Sequence, residues 1–167
     1  MPKIIANVRE QIIAEARRQI DERGYESLTV RSVAKGCGIA VGTVYNYFTS
    51  KDMIVASCIL EDWLMCTRTI SEYPKEFRKD FLAFIHSSLL RFSQKNINVF
   101  GSEAAVNAYN ASFFERHAQI REQLAELILP ICDEQFTAEY TAEAMLCWTM
   151  AGKSFEEIYS LLPERIK

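Results

Sequence analysis

Two histidines, His86 and His117, and five cysteines, Cys37, Cys58, Cys66, Cys132 and Cys147, are the side chains best suited to metal or nucleophilic chemistry in this 167-residue chain. Their spacing assembles no site. The cysteines are odd in number and form no C-x-x-C pair, which favours free thiols in a reducing cytoplasm over a disulfide framework. Cys58 and Cys66 lie eight apart, close to one helical face, but no histidine nearby completes a ligand set. Neither metal nor cofactor is expected, and the thiols read as core residues. The histidines stand apart on separate helical segments, as surface or hydrogen-bonded residues. No Ser/His/Asp or Cys/His arrangement, Gly-rich phosphate loop or H-E-x-x-H occurs, and Glu156, Glu157 and Glu164 read as a solvated face. An enzyme is not expected.

A different chemistry is written between Ser27 and Lys51, SLTVRSVAKGCGIAVGTVYNYFTSK. Ala40, Val41, Gly42 and Thr43 form a run of small residues that would let a backbone come close to another molecule. Tyr45, Asn46 and Tyr47 add hydroxyl and amide groups, and Lys51 stands at the start of the next helix. Small residues leading a short helix, with polar donors on either side, suit entry into a DNA major groove about 12 Å wide, where base edges are read and phosphates are held. The net charge of −3 argues against a nucleic-acid partner only until it is divided. Residues 1–52 hold 8 Lys/Arg and 6 Asp/Glu, the remainder 11 and 16, and Ser27–Lys51 carries no acid.

The elements that must position these residues are helical throughout. Apolar residues at Ile5, Val8, Ile12, Ala16 and Ile20 line a first helix, with Gly24 placed for a left-handed cap. Thr29 is a candidate N-cap for a short helix packed through Val30, Val33, Ala34 and Cys37, ended by Gly36 and Gly38. A second short helix spans about Ala40 to Phe48, with Val44, Tyr47 and Phe48 available for packing. Thr49, Ser50 and Asp52 are placed to cap the next, with T-x-x-D from Thr49 as a capping box. That helix carries Met53, Ala56, Ile59, Leu60, Trp63 and Leu64 and ends before Pro74. Phe77, Phe81, Phe84, Ser88 and Phe92 line another, which breaks at Asn96–Asn98. Phe100 to about Tyr109 is a short helix or a loop. Phe113, His117, Ile120, Leu124, Leu127, Ile128 and Ile131 mark a further long helix. A last one places Ala144, Trp148, Ala151, Phe155, Ile158 and Leu162 at spacings of 4, 3, 4, 3 and 4, the seam of a helix packed along a partner. No 18-residue apolar span and no signal-peptide pattern is present, so neither a membrane nor a secreted protein is expected.

The order ERGYESLTVRSVAKGCGIAVGTVYNYFTSKD resembles the N-terminal DNA-binding region of TetR-family transcriptional regulators. The likeness rests on Gly24-Tyr25, Leu28-Thr29-Val30, Val33-Ala34, Gly38-Ile39, Gly42-Thr43-Val44-Tyr45, Tyr47-Phe48 and Lys51. It implies an all-α protein with a three-helix, helix–turn–helix DNA-binding unit over residues 1–50. A helical bundle over 51–167 would dimerise and sense a ligand. The implied activity is ligand-responsive repression by a cytoplasmic homodimer on a palindromic, double-stranded operator. Thr29, Arg31, Tyr47 and Lys51 would clamp phosphates, and Val41, Gly42, Thr43, Tyr45 and Asn46 would sit at or in the groove.

A small apolar or aromatic effector would be lined by Trp63, Cys66, Phe77, Phe81, Phe84, Phe92 and Phe113. The dimer face would use Phe113, Ile120, Leu124, Ile128, Trp148, Ala151, Phe155, Ile158 and Leu162. Ala40 and Val41 stand where the family often has a capping Ser and a polar residue, so readout would lean on thymine methyl groups. They also sustain an alternative: a TetR-like protein that has lost operator binding and serves as a protein-interaction or ligand-sequestering module.

Overall fold

The computed structural model describes residues 7–105 and 113–166, with backbone only for 113–115 and 165. Every regular element among them is helical: α1 (Val8–Arg23), α2 (Val30–Cys37), α3 (Val41–Tyr45), α4 (Lys51–Ser71), α5 (Arg78–Lys95), α6 (Ile97–Phe100), α7 (Phe113–Ile128), α8 (Gln135–Met150) and α9 (Phe155–Leu161). Short 3₁₀ turns lie at Tyr25–Ser27, Leu129–Ile131 and Glu164–Ile166. The chain forms two compact units that divide inside α4, between Asp62 and Trp63. The first unit also takes the residues from Asn96 to Ala105.

In the first unit, Val8, Ile12, Ala16 and Ile20 of α1 are buried at the expected spacing, joined by Ile13. Ile4 and Ile5 lie outside the described residues. Gly24 has a positive φ of 78°, but its ψ of 165° takes it out of the left-handed helical region expected of a cap. The left-handed cap belongs instead to Gly38, at φ 65° and ψ 30°, which turns the chain from α2 toward α3. Gly36 does not end α2. It lies within the helix, where an added Cβ would fall on the Glu15 carboxylate, so its role is close approach to α1.

The box expected from Thr49 is absent. Ser50 caps α4 by accepting the Met53 N–H at 3.2 Å, and Asp52 turns to Tyr25. The apolar stripe of α4 is also rotated from the expected one. Ile54, Val55 and Cys58 are buried in the first unit, and Trp63, Cys66 and Ile70 in the second, whereas Met53, Leu60 and Leu64 are exposed. Residues 53–66 are apolar on most of the circumference, so spacing alone admits either stripe, and packing selects one.

In the second unit α8 packs on both α5 and α7. Pro130 is accommodated because α7 has already passed into a 3₁₀ turn. The continuous last helix is overturned. The chain breaks at Gly152, at φ 80°, and restarts at α9, where Ser154 accepts the Glu157 N–H and Glu157 accepts the Ser154 N–H. The backbone N–H of Ser154, then its hydroxyl and Lys153, hold the Glu157 carboxyl down to about 2. Because this value lies below the ordinary 4.5, the contribution of the box is present above pH 4.5 and is lost as the pH falls through about 2. A carboxylate-detected NMR titration is expected to show this low midpoint, and S154A, which removes the hydroxyl but keeps the backbone N–H, is expected to move it only part of the way back toward the ordinary carboxylate range.

Candidate nucleic-acid interface

The polar end of α2 is fastened to α1 before it can meet any partner. Thr29 is its N-cap, accepting the Ser32 N–H at 2.9 Å while its own N–H donates to Ser32 Oγ at 3.0 Å. Ser32 Oγ also donates to Gln19 Oε1 at 2.6 Å, and Gln19 Nε2 donates to Glu15 Oε1 at 2.7 Å and to the Ser32 carbonyl at 3.1 Å. Glu15 in turn accepts two bonds from Arg18, which hold its carboxyl at about 2. The buried amide of Gln19 thus ties α1 to the start of α2.

From that base, Gly38 reverses the chain and Ile39 N–H bonds back to the Ala34 carbonyl at 3.0 Å. Val44 and Phe48, one turn apart and both buried, hold α3 down. Val41 is half-buried against the same core and Thr43 is half-buried, whereas Gly42, Tyr45, Asn46 and Tyr47 are exposed. Tyr47 therefore does not pack as Phe48 does. Ala40 offers no side-chain cap to α3. Thr29 and Arg31 are exposed at the start of α2.

Lys51 is placed by a residue that its sequence position did not suggest. Its ammonium lies 3.9 Å from the Tyr25 ring centroid and donates to the Tyr25 carbonyl at 3.3 Å. The Tyr25 hydroxyl donates to Asp52 Oδ1 at 2.5 Å, and burial, with the carboxylate beside it, raises the phenol well above its ordinary value. Tyr25 and Asp52 are therefore positioning residues. Gly24-Tyr25 and Lys51 stand at opposite ends of the motif, and it takes the folded turn to join them. The arrangement presents a short helix with a small, uncapped leading edge, hydroxyl and amide groups beside it, and no acid along Ser27–Lys51. It can lie against a polyanion and place side chains at base edges.

Of the residues expected around an effector, several are packed side chains. Trp63 and Phe92 are buried edge-to-face at 5.5 Å, Trp63 Nε1 donates to Gln123 Oε1 at 2.6 Å, and Phe81 and Cys66 are buried. Phe84 stacks on Tyr73 at 4.0 Å, whereas Phe77 precedes α5 and is 74% exposed. Trp63, Phe81, Phe84 and Phe92 thus pack against protein, and Phe77 faces outward. The Phe113 side chain lies outside the described residues. Two surface hollows are seen, one around Arg23–Glu26 and Asn98 and the other around Trp148 and Leu161. Neither includes the expected set.

The expected dimer face divides likewise. Leu124, Ile128, Ile158 and Leu162 are buried within their own chain, so they are core of the second unit. Ile120 and Phe155 are half-buried, and Trp148 and Ala151 are exposed. Burial raises the thiols of Cys58 and Cys66 to about 11 each.

Fold and site together define an all-helical protein with an N-terminal helix–turn–helix. Residues 12–58 match the family model for bacterial regulatory proteins of the tetR family. In this region the chain carries a domain similar to the DNA-binding domain of that family. Similar curated proteins include the HTH-type transcriptional regulator UidR of Escherichia coli (strain K12), 35% identical over 54 residues. That match covers 32% of this chain and 28% of the relative. The HTH-type transcriptional repressor AcnR of Corynebacterium efficiens is 33% identical over 66 residues, 40% of this chain and 35% of the relative. The matched region thus spans about a third or less of these relatives. Among solved structures, Salmonella enterica GusR gives a TM-score of 0.67 at 18% identity, covering 98% of this chain and 92% of that one. The fatty acid degradation regulator FadR from Bacillus halodurans gives 0.61 at 20%, covering 96% of each. These structures share the fold.

Proposed function

We propose that this chain is a DNA-binding transcriptional regulator, acting as a repressor, that grips a palindromic operator as a homodimer and responds to a small apolar or aromatic effector. The observation that carries the reading is α3: a five-residue helix anchored through Val44, its small leading edge free, between Thr29 and Arg31 on one side and Tyr47 and Lys51 on the other. In this reading residues 1–50 bind DNA and 51–167 dimerise and sense. Val41, Gly42, Thr43, Tyr45 and Asn46 meet the groove. Lys51 reaches a phosphate with the N–H groups not donated to Tyr25. The names of the related regulators and repressors agree with this reading.

For the dimer, the exposed face of α8 supports a revised contact. Phe136, Tyr140 and Trp148 lie along one face at four-residue multiples, 71%, 46% and 49% exposed, with Ala151 beyond. Three such rings on one helix face suit a second copy better than water. Two recognition helices held by a dimer address half-sites one turn, about 34–36 Å, apart. An effector would enter the second unit by parting the apolar side chains around Trp63, Cys66, Phe81 and Phe92.

Selection of genomic fragments with the purified chain, followed by binding titrations at rising salt, tests the proposal. The expected result is a palindromic site bound by two chains, with affinity falling steeply as salt rises. No enriched fragment, or binding indifferent to salt, overturns it. That outcome would favour a protein-interaction or ligand-sequestering module, for which the uncapped Ala40 and the apolar Val41 are the supporting features.

A further inference from the structure

We propose that His117, Glu143 and Cys147, in the second unit, bind one divalent cation of the zinc class. Glu143 and Cys147 are four apart on α8 and so share a face, and α7 packs on α8 and brings His117 to them. His117 Nε2 lies 3.0 Å from Glu143 Oε1, and Cys147 Sγ lies 3.0 Å from the same oxygen. One ligand atom from each residue falls within 4.8 Å of the others. In a tetrahedral zinc site with bonds of about 2.0–2.3 Å, ligand atoms lie roughly 3.5 Å apart. The three therefore need small side-chain rotations and no change of backbone.

Access and electrostatics agree with this assignment. In the single chain His117 and Glu143 are half-buried and Cys147 is exposed, so an ion can enter from solvent and keep a fourth position for water before the neighbouring face of α8 meets a second copy. Glu143 Oε2 lies 3.1 Å from His117 Nε2 and 3.8 Å from Arg121 Nη1, so the arginine steadies the carboxylate from one side while both of its oxygens stay within reach of the histidine. A nitrogen, an oxygen and a sulfur donor together select a borderline-soft ion over calcium or magnesium, which take oxygen ligands. Without a cation the same groups satisfy one another, so the unit folds without needing the metal. The site goes beyond the regulatory reading and does not depend on it.

Cobalt(II) added to the untagged, reduced full chain tests it. One equivalent is expected to give tetrahedral visible bands with a thiolate-to-cobalt band in the near ultraviolet, displaced by zinc. C147S is expected to lose the thiolate band, and H117Q to weaken binding by more than about 10-fold, with the unfolding midpoints of both variants unchanged without metal. Absence of tetrahedral cobalt, or a thiolate band that survives in C147S, overturns the proposal.

Discussion

G42E is expected to lower operator affinity by more than about 100-fold while leaving the unfolding midpoint at or slightly above that of the parent chain. Gly42 is exposed in the first turn of α3, its φ is not positive, and an added Cβ meets nothing within 4 Å. Any non-glycine residue there gains up to about 1 kcal/mol of helix propensity, and a carboxylate near a helix N-terminus is favoured by the dipole. Folding therefore has no reason to suffer. On DNA the same carboxylate would face phosphates, where opposed like charges cost several kcal/mol, and each 1.4 kcal/mol is tenfold in affinity. G42A, which adds a methyl group without charge, is expected to lose much less. Undiminished operator binding by G42E would show that α3 does not enter the groove. The circular dichroism melt separates that result from misfolding.

R17A is expected to cost about 3–5 kcal/mol of stability, a large share of the 5–15 typical of a whole domain. Arg17 Nη2 lies 2.7 Å from Asp62 Oδ2, and Asn96 Nδ2 donates to the same oxygen at 3.0 Å. The Asp62 side chain is only 6% exposed and that of Arg17 20%. Arg17 also donates to the Cys58 carbonyl, so one guanidinium joins α1 to two positions of α4. Removing it takes the counter-charge from a carboxylate that water scarcely reaches. The pair itself is a weaker source of stability than its loss suggests, because burying both charges has its own cost. The double variant R17M/D62L is accordingly expected to lie much nearer the parent chain than R17A does. Urea unfolding measures both. A loss below about 1 kcal/mol for R17A would mean that Asp62 is held in some other way.

Legibility differed from one helix to the next. α1 and α2 could be read because their few apolar residues stand among polar and charged ones, and Thr29 was recognisable as a cap by type and position. α4 could not be oriented, since Met53, Leu60 and Leu64 are as apolar as Ile54, Val55 and Cys58. The end of the chain misled for a different reason. Gly152 and the S-x-x-E of Ser154–Glu157 mark a helix break, yet the regular seam from Ala144 to Leu162 ran through them and suggested continuity. At the candidate interface the leading edge of α3 was legible from small residues in sequence. The Tyr25–Lys51 contact was not, because those residues are 26 apart and meet only when α4 folds back on the first unit.

The sequence alone determined the helical class, the TetR-type motif and the acid-free stretch that carries it, since these depend on residue types at short, fixed spacings. Tertiary packing decided which apolar face each helix buries, and with it which residues remain available to a partner. Leu124 and Ile128 were drawn into the core, while Phe136 and Tyr140 were left outside. It also brought His117 to Glu143 and Cys147, three residues that appear isolated along the chain. Burial and juxtaposition are properties of the neighbours a helix meets, and the periodicity of a single helix does not contain them.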